Sequence, residues 1–180
     1  MKIIGLGSNL GDRTDNLVEA VVRLEQVGVE LMHASSCYLT PPWGDTDQDA
    51  FVNAVVQVET ALSPEDLLRT LLQIEEEMGR VRYRKWGPRL IDLDLIEYDG
   101  QVRDTELLKL PHPFFLERPF VMIPLAEMHP RFLPNGQLPE IAQRISAADR
   151  EGIDPIMDRL AFEDAIKSRR SPLASDIPFS

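Results

Sequence analysis

The segment F-V-N-A-V-V-Q-V-E-T-A-L-S-P-E-D-L-L-R-T-L-L-Q-I-E-E-E-M-G, residues 51–79, predicts a strand followed by a helix. Apolar residues dominate 51–60, as in a buried strand. Ser63, Pro64 and Asp66 then provide an oxygen cap, a proline in the first turn and an acid near the positive helix end. The apolar face of this helix comprises Leu67, Leu71, Ile74 and Met78. Gly79 is expected to end it.

The flanking segments extend this unit in both directions. The alternating segment L-I-D-L-D-L-I-E, residues 90–97, predicts a strand after the helix. On the other side, 2–7 and 29–39 predict strands, and Asp12 is placed to cap a helix that runs to about residue 27. The order is βαββαβ, so we predict an α+β, ferredoxin-like core whose antiparallel sheet packs the two main helices on one face. Further helices are expected near 120–128 and 139–147.

The chain length of 180 residues suits one domain with a full core. We assign residues 1–150 to this domain and 151–180 to a C-terminal extension, part helix and part flexible tail. Its last part, 168–180, is rich in Ser and Pro and is expected to be the tail.

Charge and cysteine content limit the classes of function. The net charge of −11 disfavours nucleic-acid binding, because an acidic surface repels a phosphate backbone. No apolar stretch has the length of a membrane span. Cys37 is the single cysteine, which excludes an intramolecular disulfide and favours a reducing, cytoplasmic location. We expect a monomer that acts on small molecules.

Asp92 and Asp94 form the sharpest candidate site. Residues i and i+2 of a strand point to the same face, so the two carboxylates are expected to project together. Two unpaired carboxylates at such a short separation repel each other, and Mg²⁺ prefers hard oxygen ligands of this kind. The alternative is an exposed strand face that carries two solvated acids.

A basic segment precedes these aspartates. Residues 80–89, R-V-R-Y-R-K-W-G-P-R, hold five of the 19 Lys and Arg residues. Guanidinium groups grip phosphate oxygens and offset the charge that develops during phosphoryl transfer. Trp86 could stack on a ring or anchor the segment. A solvated basic loop is the alternative interpretation.

A glycine-rich segment joins the first strand to the first helix. The spacing of Gly5, Gly7 and Gly11 is G-x-G-x-x-x-G, which differs from the dinucleotide fingerprint G-x-G-x-x-G. We expect these glycines to form a tight turn near a ligand. Farther along the chain, His112 and Arg118 could contact phosphates, whereas Phe51 and Phe120 are expected by default in the core.

Four groups of motifs together resemble one known family. They are G-L-G-S-N-L-G-D-R (5–13), Y-L-T-P-P-W-G (38–44) with F-V-N-A-V (51–55), G-R-V-R-Y-R-K-W-G-P-R-L-I-D-L-D (79–94), and L-P-H-P-F (110–114) with R-P-F (118–120). In this order they resemble the 6-hydroxymethyl-7,8-dihydropterin pyrophosphokinases of folate biosynthesis. The third group carries most of the specificity, and the resemblance spans about the first 130 residues.

The resemblance implies an ATP-dependent transferase, a kinase that moves pyrophosphate from ATP to the pterin and releases AMP. It implies two Mg²⁺ ions shared by Asp92 and Asp94. Two metal ions can hold the attacking and leaving oxygens of an in-line displacement. It also implies a catalytic role for Arg80, Arg89 and Trp86.

The same resemblance implies the substrate contacts. The implied ATP-binding residues are Glu75, Leu95, His112 and Arg118. The implied pterin-binding residues are Thr40, Pro42, Trp43, Gly44, Phe51, Asn53 and Phe120, with the two phenylalanines sandwiching the ring.

A few positions depart from the family pattern. Leu72 stands where some members have glutamine, Leu90 replaces a threonine, and Phe51 lacks a tyrosine hydroxyl. None of these changes removes a metal ligand or a key arginine. The alternative to an active enzyme is a non-catalytic relative that binds nucleotide and pterin. The intact Arg80, Arg89, Asp92 and Asp94 favour the enzyme.

Overall fold

The computed structural model describes residues 1–42, 47–79, 89–133, 136–137 and 139–170. The strands are β1 Lys2–Ser8, β2 Glu30–Ala34, β3 Cys37–Thr40, β4 Phe51–Glu59, β5 Asp92–Tyr98, β6 Arg103–Asp104, β7 Lys109–Leu110 and β8 Asp154–Met157. The helices are α1 Arg13–Gln26, α2 Pro64–Glu77, α3 Pro119–Met128, α4 Ile141–Arg144 and α5 Arg159–Arg170. None of the helices within these ranges is long and apolar enough to cross a bilayer.

In the described part of the chain, six strands form one antiparallel sheet. Its order is β5-β1-β4-β3-β8, and β2 also pairs with β4. The first and last strands of the βαββαβ unit, β1 and β5, are therefore neighbours. In this sheet β5 is an edge strand, and β1 lies between β5 and β4. This confirms the predicted ferredoxin-like α+β fold. The order brings Asp92 and Asp94 of β5 beside the glycines of β1.

Both predicted helix starts are confirmed. The Asp12 carboxylate accepts a hydrogen bond of 3.0 Å from the Asp15 backbone N–H at the start of α1. The Ser63 hydroxyl accepts one of 3.1 Å from the Asp66 backbone N–H at the start of α2. Such caps satisfy donors that have no partner inside the helix.

The alternation of side chains along the strands separates two cores. On one face, Val52, Ala54, Val56 and Val58 of β4 pack with apolar residues of α1, α2 and α5. On the other face, Ile3, Val55 and Ile96 pack with α3 and with Ile141 of α4. Cys37 of β3 is fully buried in the first core. The second core covers only part of its face, and the site lies on the remainder.

The predicted strand at 29–39 is two strands in the structure. Ser35 and Ser36 interrupt it between β2 and β3. The Ser35 hydroxyl accepts the Val55 backbone N–H at 2.9 Å, and Glu127 of α3 accepts the Ser36 backbone N–H at 2.8 Å. Side-chain oxygens thus accept backbone N–H groups at the interruption, as serine side chains often do near the ends of regular structure.

The segment beyond residue 150 contributes to the main sheet and core. β8 pairs with β3, and the side chains of Phe162 and Ile166 in α5 are fully buried in the first core. A helix in this segment was expected from the sequence, whereas β8 was not. The helix also includes residues 168–170, which were wrongly predicted to belong to the tail. Residues 171–180 lie outside the described residues.

Candidate active site

The two strand aspartates form a wall between two clefts. Asp92 and Asp94 project from the same face of β5 and lie across from Gly7 and Gly5 of β1. Because the glycines have no side chains, the surface next to the carboxylates stays open. One cleft extends from the aspartates over β1 toward β4, and the other extends on the opposite side toward α2.

The first cleft holds most of the predicted pterin-binding residues. Its lining includes Gly5, Gly7, Thr40, Pro41, Phe51, Asn53, Arg89, Asp92, Asp94, Arg118 and Phe120. Phe51 and Phe120, expected by default in the core, therefore present surface to a cavity. The predicted Pro42 follows Pro41 directly, at the end of a described range.

A hydrogen bond fixes the side-chain amide of Asn53. Its Nδ2 donates to the Thr40 Oγ1 at 2.7 Å, and the amide is buried. The Oδ1 therefore points toward Gly7, where an added Cβ would lie only 2.6 Å away. An acceptor is thus held in a fixed direction on the floor of the cleft.

The second cleft is mainly apolar, with polar groups at its ends. Its lining includes Leu68, Leu72, Glu75, Asp92, Asp94, Leu95, Leu107, Leu108, Lys109 and His112. Three of the predicted ATP-binding residues, Glu75, Leu95 and His112, lie here, whereas the fourth, Arg118, lines the first cleft. An apolar pocket beside carboxylates suits a flat base joined to a metal-bound polyphosphate.

Glu75 makes a structural contact as well. It is 1% exposed, and its Oε1 accepts the Leu93 backbone N–H at 2.7 Å. This bond joins α2 to β5 between the two aspartates. The nucleotide contact expected for Glu75 stays a prediction.

Each aspartate is paired with an arginine. Arg89 Nη1 lies 2.8 Å from Asp92 Oδ1, and Arg118 Nη1 lies 2.8 Å from Asp94 Oδ2. Burial and the Asp92 carboxylate raise the pKa of Asp94 from 3.8 to about 6, against the opposing effect of Arg118. Water still reaches part of this carboxylate, since 32% of the Asp94 side-chain surface is exposed.

His112 is held as a neutral donor. Its Nδ1 accepts the Phe114 backbone N–H at 3.2 Å, so in the neutral ring the hydrogen resides on Nε2. Burial and the nearby Arg118 guanidinium lower the pKa of His112 to about 4. The ring therefore offers an N–H near neutral pH without carrying a charge.

The sequence interpretation missed Asn9. This residue is 2% exposed, and its Oδ1 accepts the Arg89 backbone N–H at 2.8 Å. Its Nδ2 donates to Gln48 Oε1 at 3.0 Å and to the Asp49 carbonyl at 3.3 Å. The glycine-rich turn thus ties Arg89 to the segment before β4. The polar S-N pair between the glycines was the available signal.

Four predicted site residues lie outside the described residues: Trp43, Gly44, Arg80 and Trp86. Their assignments stay predictions.

The donor set around the aspartates fits a hard cation. Within the ranges that the structure describes, no group of three or more His, Cys, Asp or Glu side chains could hold a metal by itself. Asp92 and Asp94 supply only carboxylate oxygens, and a magnesium ion commonly completes its shell with water and substrate phosphates. The raised pKa of Asp94 is the sign of a carboxylate that a cation would stabilise.

Comparison with known proteins identifies the family. The sequence model of the family 7,8-dihydro-6-hydroxymethylpterin-pyrophosphokinase matches residues 3–130. The chain belongs to this family. The matched residues include both clefts and the aspartate wall, and they end shortly after α3.

Several curated members of the pyrophosphokinase family are similar over most of the chain. A 2-amino-4-hydroxy-6-hydroxymethyldihydropteridine pyrophosphokinase of Methylorubrum extorquens is 45% identical over 154 residues, covering 85% of this chain and 96% of that protein. Its namesake in Bacillus subtilis is 46% identical over 126 residues, covering 69% of this chain and 75% of its own.

Solved structures support the fold. The crystal structure of Plasmodium falciparum HPPK-DHPS with SDX-DHP matches with a TM-score of 0.64 at 15% identity, covering 84% of this chain. This chain spans 46% of that longer protein.

Proposed function

We propose that the protein transfers the terminal pyrophosphoryl group of ATP to 6-hydroxymethyl-7,8-dihydropterin, yielding the pterin diphosphate and AMP in folate biosynthesis. The observation that carries this proposal is the meeting of two clefts at Asp92 and Asp94 in a chain of the pyrophosphokinase family. A group transfer between two substrates needs both reacting ends at one place.

The first cleft suits the pterin. Phe51 and Phe120 offer aromatic surface to a flat bicyclic ring, and stacking of this kind adds to apolar burial. The fixed Asn53 Oδ1 is placed to accept hydrogen from the polar edge of the ring. Thr40 orients that amide through its hydroxyl group.

The second cleft suits ATP. Its leucines would enclose the base, and the His112 Nε2–H and the arginine guanidiniums would donate to phosphate oxygens. ATP serves as co-substrate, and we assign Asp92 and Asp94 to hold two Mg²⁺ ions. These ions would neutralise phosphate charge and favour the in-line geometry.

The transfer forms one bond to phosphorus and breaks another. The hydroxymethyl oxygen forms a bond to the β-phosphorus, the bond from that phosphorus to the α,β-bridging oxygen breaks, and AMP leaves with that oxygen. The hydroxyl proton is lost to the surroundings. Arg89 and Arg118 line the first cleft beside the aspartates, and there they would offset charge that accumulates on the transferred group.

The first test is AMP release from ATP and Mg²⁺, measured with and without the pterin. We expect pterin-dependent AMP and no ADP. Asp94→Asn should reduce the rate by about 100-fold or more, because it weakens charge stabilisation in the transition state. Asp164→Asn, at an exposed position on α5, is the matched control and should retain the rate. Binding of both substrates without AMP would instead support the non-catalytic relative.

The monomeric state and the cytoplasmic location expected from the sequence stay predictions.

A further inference from the structure

The carboxylates of the site are already engaged by cations that belong to the chain itself. Arg89 holds Asp92 and Arg118 holds Asp94, each at 2.8 Å. The two guanidinium-bearing side chains are largely enclosed, with 13% and 7% of their surfaces exposed. The four groups together form a locally neutral cluster at the junction of the clefts.

These ion pairs occupy oxygens that a metal ion would use. One oxygen of each carboxylate, Asp92 Oδ1 and Asp94 Oδ2, accepts from a guanidinium. A bare divalent ion must therefore displace the arginines or share the carboxylates with them. Displacement separates two enclosed guanidiniums from these carboxylates, and removal of the opposite charge from an enclosed ion pair is costly.

A polyphosphate removes this cost. Its oxygens are strong acceptors for guanidinium groups and can bind them bidentately. If metal and polyphosphate bind together, the carboxylates bind the metal instead of the arginines. The arginines then bind phosphate oxygens instead of the carboxylates. Every charge in the cluster then keeps an opposite partner.

The backbone of each arginine is held in place during such an exchange. Asn9 accepts the Arg89 N–H at 2.8 Å, and the Arg118 carbonyl accepts the backbone N–H groups of Val121 and Met122 at 2.9 and 3.0 Å at the start of α3. The change therefore requires only side-chain rotation.

We propose that Arg89 and Arg118 serve as the counter-ions of Asp92 and Asp94 until metal binds. When metal and nucleotide bind together, both arginines exchange from these carboxylates to the phosphates. This inference rests on the proposed function of the site. If the exchange occurs, loss of one arginine should change two affinities in opposite directions: that for the bare metal and that for the metal–nucleotide complex.

The test is binding of Mn²⁺, a paramagnetic substitute for Mg²⁺, followed by the spin-resonance signal of the free ion. Wild-type protein should bind Mn²⁺ weakly alone and at least about tenfold more tightly with α,β-methylene-ATP, which cannot release AMP. Arg118→Met should strengthen binding of Mn²⁺ alone by about tenfold, the scale of coupling between close charges. The same variant should weaken binding of the Mn²⁺–nucleotide complex by a similar factor.

Arg103→Met is the matched control. Arg103 also pairs with a carboxylate, that of Glu65 at 3.1 Å, but lines neither cleft. It should leave both affinities unchanged. Arg89→Met, which releases Asp92, provides a second variant should Arg118→Met fail to fold.

Two results would overturn the exchange: equal tightness for bare Mn²⁺ and the complex in the wild type, or arginine variants that shift both affinities in the same direction. Pterin-dependent AMP release by the wild type is measured in parallel. AMP release with unchanged Mn²⁺ binding in the variants would refute the exchange and leave the function standing. Opposite shifts without AMP release would refute the transfer and support the exchange.

Discussion

At the scale of single residues, the site depends on a missing side chain as much as on those present. Gly7 lies opposite Asn53 in the sheet, and the Asn53 Oδ1 fills the space where a Cβ would stand. Gly5, two residues earlier on the same face, has only ordinary contacts around its Cβ position, with the nearest atom at 3.5 Å. An added methyl group therefore fits at Gly5 but collides with Asn53 at Gly7.

Gly7→Ala should weaken pterin binding. The new methyl group would stand 2.6 Å from the Asn53 Oδ1 and force the amide away from Thr40. Loss of a buried hydrogen bond costs roughly 1–3 kcal/mol, so the dissociation constant for the pterin should rise about tenfold or more. Isothermal titration with pterin measures this. Gly5→Ala is the comparison, because it adds a methyl group to the same cleft without approaching the Asn53 amide. Equal effects of the two substitutions would contradict the steric argument.

The sequence predicted the local part of this site and missed the part made by distant contacts. The shared direction of Asp92 and Asp94 follows from the two-residue period of a strand. The pairing of Asp94 with Arg118 spans 24 positions, and nothing in the local pattern specifies it. The bond from Asn9 to Arg89 spans 80 positions and depends on the whole βαββαβ fold.

At the scale of secondary-structure elements, α5 is part of the core. Phe162 and Ile166 are fully buried against the helical face of the sheet. A helix was expected in this segment, but the local sequence could not indicate what it packs against. The neighbouring β8 escaped prediction because it contains Pro155, and proline is tolerated mainly on edge strands such as this one.

Phe162→Ala should therefore destabilise the whole domain. Removal of a fully buried phenylalanine side chain typically costs about 3–5 kcal/mol of unfolding free energy. Urea denaturation followed by far-ultraviolet circular dichroism measures the change. Leu160→Ala in the same helix is the control, because Leu160 is 62% exposed and its truncation should cost less than about 0.5 kcal/mol. A Phe162 variant as stable as the Leu160 variant would mean that α5 does not contribute to the core.

At the scale of the whole molecule, an acidic chain brings two carboxylates and two guanidiniums together where the clefts meet. The net charge of −11 repels free nucleotide, so attraction must come from the local cations. Without a metal, the fold carries Asp94 in an environment that favours its protonated form.

The metal-free protein should lose stability as pH rises through this titration. The pKa of Asp94 is raised from 3.8 to about 6 on folding, so between these values the folded state binds more protons than the unfolded state. The free energy of unfolding then falls with rising pH, and the loss is complete above about pH 6. Asp94→Asn should remove this pH dependence. The loss of its ion pair with Arg118 shifts the free energy of unfolding by a constant amount across the pH range.

Urea denaturation from pH 4 to pH 7.5, with chelator present, compares the two proteins. The wild-type curve should fall relative to that of Asp94→Asn as pH increases. With Mg²⁺ and α,β-methylene-ATP present, the relative slope should reverse, because the charged carboxylate then has its cation. Parallel curves in chelator would refute the assigned direction of the shift.

The burial of Cys37 has a practical consequence for following motion in solution. The sequence holds a single thiol, which is fully enclosed in β3, and burial raises the pKa of Cys37 to about 12. Thiolate is the form that alkylating dyes attack, so the native protein protects its own cysteine. A cysteine introduced at an exposed position such as Val102 becomes the attachment point for a single fluorophore. The wild-type chain is thus a ready background for fluorescence labelling at one chosen site, without first deleting a native residue.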